Sequence, residues 1–530
     1  MDCTANRLPY RQTGCFTKIV MDYIDQAAVI TPFYSHPPSL AGIKEAIEAR
    51  KNFNTNRNVL VDELKKQYTT VASSEKVKQN IENLISSDTF TITTAHQPNI
   101  FTGPLFFIYK ILHVIKLAEH FHSLLPSYKF VPVYCMGSED ADLDELGHTY
   151  VDGQKINWDT KQTGAVGRMK VDKELIKLIS LVEGQLAVQP FGNEIIAIVK
   201  ECYKENSLIQ DATFRFVNTL FAEYGLIVII PDNPGLKKQM LPVFEDDLLN
   251  ETDSEIVENT SKKLGALYKI QVNPREINLF YLKEGVRERI VKHGTRYKAQ
   301  GLDLSEEELK KELAEHPEKF SPNVILRGLY QETILPNIAF IGGGGEIAYW
   351  LQLKELFEHY KAPFPVLILR NSFLVVEKKW QDKINKLGFT IEDLFLPEQE
   401  LVNRLVAKET DNKLQLNGTL TEAERLYENI KKQAASIDIT LEKHVDALKL
   451  QTIGRLQELE KKMLRAEKRK FTDQQRQIHT IKEYLFPNNG LQERQDNFMS
   501  YYAKWGRDFI NQLYKHSLGL EQEFVTVVEK

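Results

Sequence analysis

The chain has 530 residues, and this length indicates about two to four structural units because a single hydrophobic core rarely grows so large. Hydrophobic residues make up 42% of the chain and charged residues 27%, which is typical of a soluble globular protein. The formal net charge of -5 provides no overall positive field, so the composition argues against nucleic acid or an anionic membrane as a partner.

The N-terminal region and the cysteines predict the cellular compartment of the protein. Residues 1–12 lack the apolar core of a signal peptide, and no apolar stretch reaches the roughly 18 residues that a membrane-spanning helix needs. Cys3, Cys15, Cys135 and Cys202 have no CxxC spacing, which argues against a structural zinc site and against a disulfide framework. We therefore expect a cytoplasmic protein with no structural metal.

Five short apolar runs, each followed by turn residues and then by a helical pattern, predict the strands of one sheet. They are residues 90–94, 130–134, 226–230, 338–341 and 366–369. Nearly continuous runs of Val, Ile and Leu separated by helices are typical of parallel strands that helices cover on both faces. The predicted fold is therefore α/β, with a Rossmann-like, doubly wound parallel sheet.

The first run leads into a tight polar turn and then into a helix. His96 and Gln97 lie in this turn, and Thr102, Gly103 and Pro104 provide a cap and a proline start for a helix with an apolar face. Free backbone N–H groups and the positive end of a helix dipole converge at such a turn, which is where open α/β sheets bind anions such as nucleotide phosphates. His96 and Gln97 are therefore candidate catalytic residues that add side-chain donors.

The second run is followed by a dense group of acidic and polar residues that includes Ser138, Glu139, Asp140 and Asp142. So many carboxylates at the end of one strand repel one another unless a cation, a metal or an ammonium group joins them, and this crowding raises carboxyl pKa values. Glu139 and Asp140 are candidate catalytic groups, Ser138 and Asp142 are candidate substrate-binding residues, and a substrate amine would fit beside them. The alternative is a helix N-terminus whose acidic residues interact favourably with the helix dipole.

A glycine-rich loop follows the fourth run and leads into a helix. Its glycines, the candidate cofactor-binding residues, are Gly342, Gly343, Gly344 and Gly345. Glycines in such a loop let a ligand approach the backbone closely and expose successive N–H groups to phosphate or carboxylate oxygens. The loop matches neither GxGxxG nor a Walker motif, so a tight strand-to-helix crossing is the alternative. Glu346 and Tyr349 on the following helix are candidate substrate-binding residues.

Basic residues near these turns are candidate partners for an anionic ligand. Lys110 lies on the first helix, Arg327 shortly before the fourth run and Arg370 at the end of the fifth. Bidentate guanidinium contacts recognise carboxylate or phosphate, so Arg327 and Arg370 are candidate substrate-binding residues. The histidines along the first helix lack the third and fourth ligands of a metal site, so no catalytic metal is predicted.

Long gaps between the runs predict segments inserted into the sheet domain, because a crossover between parallel strands needs far fewer residues. The predicted order is the first half of a Rossmann-like core, a first insertion, a core strand segment, a second insertion, the second half of the core, a coiled coil, and C-terminal helices that pack on the core. Their boundaries are 1–149, 150–212, 213–236, 237–323, 324–420, 421–486 and 487–530.

From residue 421 the composition changes to Glu, Lys, Gln and Arg, with apolar residues at steps of three and four between Ile430 and Ala466. This spacing predicts one long amphipathic helix with a stutter near Thr452. We favour a projecting coiled coil that pairs two subunits, so the prediction is a homodimer. A long helix that packs on its own domain is the alternative.

Several of these motifs also carry a family resemblance. The turn at His96, GSED at residues 137–140, GGGGEIAYW at residues 342–350 and GLQER at residues 490–494 occur in this order along the chain. Together they resemble the cysteine-adding enzymes of bacillithiol biosynthesis, a family of cysteine ligases. The similarity spans nearly the whole chain, from about residue 33 to residue 504.

This resemblance implies an enzyme that adds L-cysteine to glucosaminyl malate to form bacillithiol. Because joining a carboxylate to an amine is uphill in water, the reaction requires an activated acyl group, and ATP is the expected co-substrate. The histidine and glutamine of the first turn would stabilise charge on the phosphates, while the glycine amides hold a second anion. Glu139 and Asp140 would orient or deprotonate the substrate amine, and Arg327 or Arg370 would hold the malate.

The chemistry and the function class each have alternatives. A parallel sheet with a His-Gln-Pro turn is similar to class I aminoacyl-tRNA synthetases, which favours an acyl adenylate, but the second histidine of that signature is missing, so an acyl phosphate is the alternative. Family members commonly have histidine where this chain has Ala141, so that position offers no histidine base. The rival functions are a non-enzymatic, nucleotide-binding coiled-coil assembly protein and a nucleotidyltransferase that acts on a sugar.

Overall fold

The computed structural model describes residues 1–410 and 415–530, and these form two compact units. The larger, which we call the sheet unit, comprises Met1–Val375 and Gly490–Lys530, and the smaller, the helical unit, comprises Val376–Asn489. At the insertion point, Gln492 Oε1 accepts the Val375 N–H at 3.1 Å and Gln492 Nε2 donates to the Val375 carbonyl at 3.2 Å. The sheet unit is therefore continuous in space where the helical unit interrupts its sequence.

A five-stranded parallel sheet lies at the centre of the sheet unit. In chain order its strands are β1 (Thr89–His96), β2 (Lys129–Met136), β3 (Ile227–Ile229), β4 (Asn337–Gly342) and β5 (Val366–Leu369). Their order across the sheet is β5-β4-β1-β2-β3, so the chain builds outward in one direction to β3 and in the other to β5. The switch point between β1 and β4 is where open sheets bind ligands. Each strand coincides with one of the five apolar runs, which confirms the predicted fold class.

The core lies between this sheet and its helices. Phe90 and Ile92 of β1 and Ile338 of β4 pack in one apolar cluster with residues of α1 (Phe106–Leu124), a helix that is buried along most of its length. Threonines on β1 are also buried, and Thr93 Oγ1 donates a hydrogen bond of 2.8 Å to a side-chain oxygen on β4. Because an unpaired buried hydroxyl costs about 1–3 kcal/mol, this bond lets a polar residue occupy a central strand.

The segment between β2 and β3 begins with a short hairpin and continues as helices. The hairpin pairs His148–Val151 with Gln154–Asn157 in antiparallel register. Its main helices are Lys173–Leu186, Gly192–Cys202 and Ile209–Phe221. All of these elements belong to the sheet unit.

The segment between β3 and β4 contains two small antiparallel sheets and three main helices. The strands of the first sheet, in spatial order, are Phe320–Pro322, Leu279–Lys283 and Val286–Arg289. Those of the second are Leu302–Ser305, Arg296–Ala299 and Val291–His293. The helices are Leu241–Asn250, Thr252–Gly265 and Glu306–Glu315. The last of them begins with a capping box, which fixes the start of the polar helix that the sequence indicates.

Further helices flank the central sheet. Those before β1 are Lys18–Ile24, Leu40–Lys51, Arg57–Tyr68 and Glu75–Asn83. The helix α2 (Val324–Ile334) precedes β4, and α3 (Gly344–Trp350) and Lys354–His359 follow it. The C-terminal helices are Phe498–Trp505 and Arg507–His516. No helix within residues 1–410 or 415–530 is long and apolar enough to cross a membrane.

The two ends of the sheet unit pair with each other. The strand Cys3–Pro9 runs antiparallel to Glu523–Glu529, and Ser372–Val376 completes this three-stranded sheet beside the C-terminal strand. The sequence pattern predicts neither terminal strand, because their pairing joins opposite ends of the chain.

The helical unit is built around an antiparallel helical hairpin. Its helices are Lys378–Lys386, Glu398–Glu409, α4 (Asn417–Ala435), α5 (Leu441–Lys468) and Thr472–Leu485. Tyr427 of α4 bonds Thr452 of α5 at 2.7 Å, and Lys431 of α4 pairs with Asp446 of α5 at 2.8 Å. These pairs run in opposite directions along the two helices, so the predicted coiled coil contains a pairing within one chain.

The prediction of one continuous helix is wrong, because the chain turns at residues 436–440 between α4 and α5. Asp438 Oδ1 accepts hydrogen bonds of 2.8 Å from the backbone N–H and the hydroxyl of Thr440, which satisfies polar groups locally in place of a helical turn. Ile437 and Leu441 maintain the three- and four-residue spacing across the turn, so the apolar pattern gives no sign of it. The helix α5 passes through Thr452 without interruption.

The hairpin also leaves many apolar side chains exposed. They are Leu426, Ile430, Ile437, Ile439, Leu441, Leu448, Leu450 and Leu459. No residue of α4 is buried, and in α5 only Val445 and Glu467 are buried. Pairing of the two helices therefore covers only part of the apolar stripe.

Candidate active site

A cavity of about 440 Å³ opens at the carboxyl ends of the five parallel strands. Residues from the loops after β1, β2, β3, β4 and β5 line it. All but two of the predicted site residues are among them: His96, Gln97, Ser138, Glu139, Asp140, Arg327, Gly343, Gly344, Gly345, Glu346, Tyr349 and Arg370. The sheet topology thus brings together residues that are far apart in the sequence.

Gly342 and Asp142 do not line the cavity. A side chain at position 342 would place its Cβ 2.9 Å from the Phe340 ring, so glycine is needed there for packing. Asp142 caps the short helix Leu143–Leu146, where its Oδ1 accepts the backbone N–H of Glu145 at 3.1 Å. Asp142 is therefore an acidic residue at a helix N-terminus, which was the alternative interpretation of the acidic group after β2.

His96 is the last residue of β1, and its buried imidazole packs between the rings of Phe106 and Phe107. Burial, together with the positive charges of Lys110 and Arg370, lowers the pKa of His96 well below its usual value. The imidazole is therefore neutral at physiological pH. A neutral ring offers a ligand one N–H donor and one acceptor nitrogen.

Two buried polar atoms at the cavity, His96 Nε2 and Ser138 Oγ, have no hydrogen-bond partner in the part of the chain that the structure describes. Ser138 is only 1% exposed, and both residues line the cavity. Buried side-chain polar atoms are nearly always paired, and leaving one unpaired costs about 1–3 kcal/mol. Because both atoms line the cavity, a bound ligand can supply the partners that the described residues do not.

Asp140, Gln97 and Arg327 form a polar cluster at the end of β2. Arg327 Nη2 lies 3.5 Å from Asp140 Oδ2, and Gln97 Nε2 donates to the same oxygen at 3.3 Å. Burial opposes ionisation of Asp140, but the guanidinium groups of Arg327 and Arg287 lower its pKa below the usual value. Asp140 therefore presents a negative charge to any cationic group that enters the cavity.

Glu139 belongs to a buried network of alternating charge. Lys237 Nζ binds Glu139 Oε1 and lies 3.5 Å from Asp232 Oδ1, which also accepts a hydrogen bond of 2.6 Å from Arg168. Burial is the main cause that raises the pKa of Glu139, and the fully buried Lys237 opposes that effect. Glu139 and Asp140 are adjacent in sequence, yet their surroundings move their pKa values in opposite directions.

Lys110 holds Glu346 and the glycine loop in place. Its Nζ lies 2.5 Å from Glu346 Oε2 and donates to the Ala95 carbonyl at 2.9 Å. The same Glu346 oxygen accepts the Gly343 N–H at 2.8 Å, so that amide is engaged within the protein. A Cβ at Gly345 would meet nothing within 4 Å. Gly345 is therefore the part of the glycine loop whose backbone a ligand can approach most closely.

Arg370 lines the cavity, but its guanidinium group is engaged. Its Nη2 donates to Glu493 Oε1 at 2.6 Å, and its Nη1 donates to the Asn371 carbonyl at 3.0 Å and to Ser372 Oγ at 3.1 Å. The Arg370 and Glu493 side chains are 5% and 0% exposed. This pairing favours a structural role for Arg370. Arg327, which is one-third exposed, is the more available of the two predicted arginines.

Tyr349 reaches the cavity from α3, whereas its neighbour Trp350 is buried in the core. The Trp350 ring packs against Phe340, Phe357 and Phe364 with centroid distances of 4.6 to 5.8 Å. Successive residues of a helix face different directions, so only one of these two aromatic side chains lines the cavity.

Sequence reasoning missed Lys237, Asp232, Arg168 and Glu493. Asp232 comes shortly after β3, so the rule that ligand sites form at the carboxyl ends of parallel strands could have identified it. Arg168 and Lys237 lie outside the five strands, and no local sequence signal places them beside Glu139. Glu493 lies in the GLQER motif, but no local signal pairs it with Arg370.

The cavity combines a neutral imidazole, a free hydroxyl, an ionised carboxylate and an available guanidinium group. Within residues 1–410 and 415–530, no group of three or more His, Cys, Asp or Glu side chains is placed to hold a metal ion. The arrangement suits a ligand that carries both an amine and anionic oxygens, because Asp140 and Arg327 offer opposite charges side by side.

Comparison with known proteins covers both units. The family model described as "Bacillithiol biosynthesis BshC, N-terminal Rossmann-like domain" matches residues 1–371, and "Bacillithiol biosynthesis BshC, C-terminal coiled-coil domain" matches residues 373–529. A Flavobacterium psychrophilum protein named "Putative cysteine ligase BshC" is 39% identical, covering 96% of each chain. Proteins of the same name from Flavobacterium johnsoniae and Cytophaga hutchinsonii are 38% and 40% identical, covering 98% and 92% of each chain.

Proposed function

The chain belongs to the BshC family of bacillithiol biosynthesis, as the sequence resemblance indicates, and we propose that it joins L-cysteine to glucosaminyl malate to form bacillithiol. The new amide bond joins the cysteine carboxyl carbon to the amine nitrogen of the glucosamine. The relatives named as cysteine ligases support this reaction class. The resemblance and the opposite charges of Asp140 and Arg327 support the choice of acceptor substrate.

The observation that carries this proposal is the pair of unpartnered buried atoms, His96 Nε2 and Ser138 Oγ, in a cavity that also contains the ionised Asp140. An enzyme that makes an amide must polarise a carboxyl group and hold an amine close to it. Neutral His96 and Ser138 supply hydrogen-bond donors for the oxygens of the activated acyl group, including those of its phosphate. Asp140 accepts hydrogen bonds from the substrate ammonium group.

Glu139 and Asp140 have different roles toward the substrate amine. Asp140, with a lowered pKa, stays ionised and orients the ammonium group. Glu139, with a raised pKa, accepts the proton that the ammonium group must lose before its nitrogen attacks the acyl carbon. Lys237 positions Glu139 by binding its Oε1. The attack forms the C–N bond and releases the group that activated the cysteine carboxyl.

ATP is the proposed source of activation, since it would supply the leaving group on the cysteine carboxyl. The residues present fit phosphate oxygens at the accessible backbone of Gly345 and at the donors of His96 and Ser138. Lys110 and Arg370 are each paired with a carboxylate, so we assign the direct phosphate contacts to the backbone and to the neutral donors. Oriented neutral donors in a partly dry site stabilise developing charge strongly.

Purified protein incubated with cysteine, ATP and glucosaminyl malate is expected to form bacillithiol, detected by mass spectrometry. AMP as the co-product would indicate an acyl adenylate, and ADP would indicate an acyl phosphate. Ser138→Ala is expected to lower turnover by about 10-fold or more, because it removes an unpaired donor at the cavity. Ser180→Ala, on an exposed helix face, is the matched control and should turn over like the parent.

Two outcomes would contradict the proposal. Nucleotide binding with no product from the complete mixture would favour the non-enzymatic assembly protein. Transfer of a nucleotidyl group to the sugar would favour the nucleotidyltransferase.

The second part of the proposal is a homodimer in which the α4–α5 hairpin packs on the hairpin of a second copy. Its support is the exposed apolar stripe that remains after α4 and α5 have paired. A large apolar patch in water drives association, and a two-fold axis lets one surface cover its own copy.

Replacing both Leu441 and Leu459 with glutamate is expected to convert the dimer to a monomer whose sheet unit still folds. These side chains are 39% and 47% exposed in the single chain, so a charged side chain at either position would contact water there. In the proposed dimer interface the same charge would be buried, which is unfavourable. Light scattering reports the mass, and near-ultraviolet circular dichroism reports the fold. Lys443→Glu with Lys461→Glu is the matched control on exposed polar positions of the same helix. A parent protein that is already monomeric would rule out the dimer.

A further inference from the structure

The strand Val286–Arg289, inserted between β3 and β4, carries two arginines without a carboxylate partner. Within residues 1–410 and 415–530, neither Arg287 nor Arg289 has an Asp or Glu oxygen within 4.0 Å of its guanidinium nitrogens. Arg287 Nε donates to Ser321 Oγ at 3.3 Å. Arg289 Nη1 is buried with no hydrogen-bond partner in the same ranges. A guanidinium group without a direct carboxylate contact is unusual in a half-buried setting.

Phe280 holds both guanidinium groups in place. Alternate residues of a strand face the same side, so Arg287 and Arg289 project together over the Phe280 ring. Their Cζ atoms lie 3.9 and 5.2 Å from the ring centre. A guanidinium group that packs on an aromatic ring keeps its N–H groups available at its edge. The ring therefore orders these arginines while leaving donors for an anion.

Arg287 is linked to the cavity through the strand Phe320–Pro322, although its own side chain is not among the lining residues. Ser321, which accepts its Nε–H, is followed directly by Pro322, and Pro322 lines the cavity. Burial and the like charge of Arg327 lower the pKa of Arg287 to about 10. Arg287 in turn helps to lower the pKa of Asp140. The charges of Arg287, Arg327 and Asp140 therefore influence one another.

We infer that Arg287 and Arg327 form a subsite for the malyl dicarboxylate of the acceptor substrate, beside the Asp140 carboxylate that takes its amine. This inference rests on the proposed function. A dicarboxylate supplies one carboxylate for Arg287, which has none within 4.0 Å among the described residues, and a second for Arg327, whose contact with Asp140 is long at 3.5 Å. Each carboxylate can accept a bidentate pair of hydrogen bonds. Arg287 is thereby a specificity-determining residue that the sequence pattern does not reveal.

The shape of the substrate requires this arrangement. In glucosaminyl malate, the amine and the malyl group are attached to neighbouring carbons of the sugar, so their protein partners must also be neighbours. Arg327 Nη2 lies 3.5 Å from Asp140 Oδ2, and this contact places the predicted amine site next to the predicted carboxylate site. A sugar amine without the malyl group would contact Asp140 and leave Arg287 without a carboxylate partner.

Binding measurements on the full chain test the subsite without turnover. Calorimetric titration with glucosaminyl malate and with free L-malate, without ATP or cysteine, is expected to show affinity about 10- to 100-fold weaker for Arg287→Gln than for the parent. Arg287→Lys keeps the charge but not the bidentate geometry, so it should fall between them. Arg296→Gln is the matched control, because Arg296 is exposed and pairs with Asp303 on the neighbouring small sheet. Circular dichroism checks that each variant is folded.

Kinetics provide the second measurement and decide the question if binding without ATP is too weak to titrate. Arg287→Gln should raise the KM for glucosaminyl malate by about 10-fold or more while the KM values for ATP and cysteine stay unchanged. For methyl glucosaminide, which lacks the malyl group, the parent and the variant should have the same KM.

The outcomes separate this inference from the proposed function. Bacillithiol formation with an unchanged KM for glucosaminyl malate in Arg287→Gln would overturn the subsite and leave the ligase. Weaker ATP binding with unchanged malate binding would also overturn it and would make the arginines a phosphate site. Malate binding that depends on Arg287 in a protein that forms no bacillithiol would support the subsite and overturn the ligase.

Discussion

Replacing His96 with alanine is expected to lower kcat by about 10²-fold or more without unfolding the protein, the size expected when a donor to a developing negative charge is lost. The physical reason is the unpartnered Nε2 of a neutral, buried imidazole at the cavity. Steady-state rates of bacillithiol formation give the effect on kcat. His122→Ala is the matched control, since His122 is exposed near the end of the same helix, α1, that begins beside His96.

The pH dependence separates a neutral donor from a charged one. Because burial, Lys110 and Arg370 lower the pKa of His96 well below its usual value, protonation of His96 should not produce an inflection in kcat between pH 6 and 8. An inflection near pH 6.5 that disappears in His96→Ala would show that the ring titrates during turnover. Equal rates for His96→Ala and the parent would show that His96 has a role in the turn but none in catalysis.

Replacing Glu493 with alanine is expected to destabilise the protein by about 3–5 kcal/mol, because it leaves the Arg370 guanidinium buried and uncompensated. Arg370 Nη2 donates to Glu493 Oε1 at 2.6 Å, and the Arg370 and Glu493 side chains are 5% and 0% exposed. The shift of the urea-unfolding transition of the full chain measures the loss. It should be large because the Arg370 side chain is only 5% exposed, so little water can replace the lost carboxylate.

A surface glutamate provides the comparison for this effect. Glu48→Ala removes an exposed partner of Lys51 and should change stability by less than about 0.5 kcal/mol. If Glu493→Ala instead leaves stability unchanged and weakens substrate binding, Arg370 holds the substrate, as the sequence analysis predicts, and the pairing with Glu493 is dispensable for folding.

Four strands of the central sheet were predictable because they are nearly continuous apolar runs, and β1, which has three threonines in residues 90–94, was predictable from its β-branched residues. Parallel strands that are covered on both faces need no alternation, so each run of Val, Ile and Leu marks a strand directly. The carboxyl ends of parallel strands lie at one edge, so the residues after each run had to converge. His96, Glu139 and Gly345 meet at one cavity for this reason alone.

The partners of these residues were not predictable by the same reasoning. Lys237 and Glu139 are 98 positions apart, and Glu493 and Arg370 are 123 positions apart. Such pairs depend on the path of inserted and C-terminal segments, and periodicity within a window of ten to twenty residues carries no information about that path. For this reason, the prediction that Arg370 is available to a ligand did not account for its pairing with Glu493.

The helical hairpin illustrates a different limit. Its turn at residues 436–440 contains no glycine or proline, the strongest local signals of a break. Asp438 and Thr440 make the turn with side-chain hydrogen bonds while Ile437 and Leu441 continue the apolar spacing. A periodic pattern can therefore continue through a reversal of the chain.

The contact between Gln492 and Val375 has a consequence for the order in which the chain folds during synthesis. Residues 376–489 emerge from the ribosome before Gln492 does, and the pairing of α4 with α5 needs only contacts that are near in sequence, which form quickly. The sheet unit must wait for its last strand, Glu523–Glu529, to reach Cys3–Pro9 at the start of the chain. The inserted helices thus have time to fold while the flanking unit is incomplete, and the edge of the N-terminal strand stays unpaired until the C-terminal strand arrives.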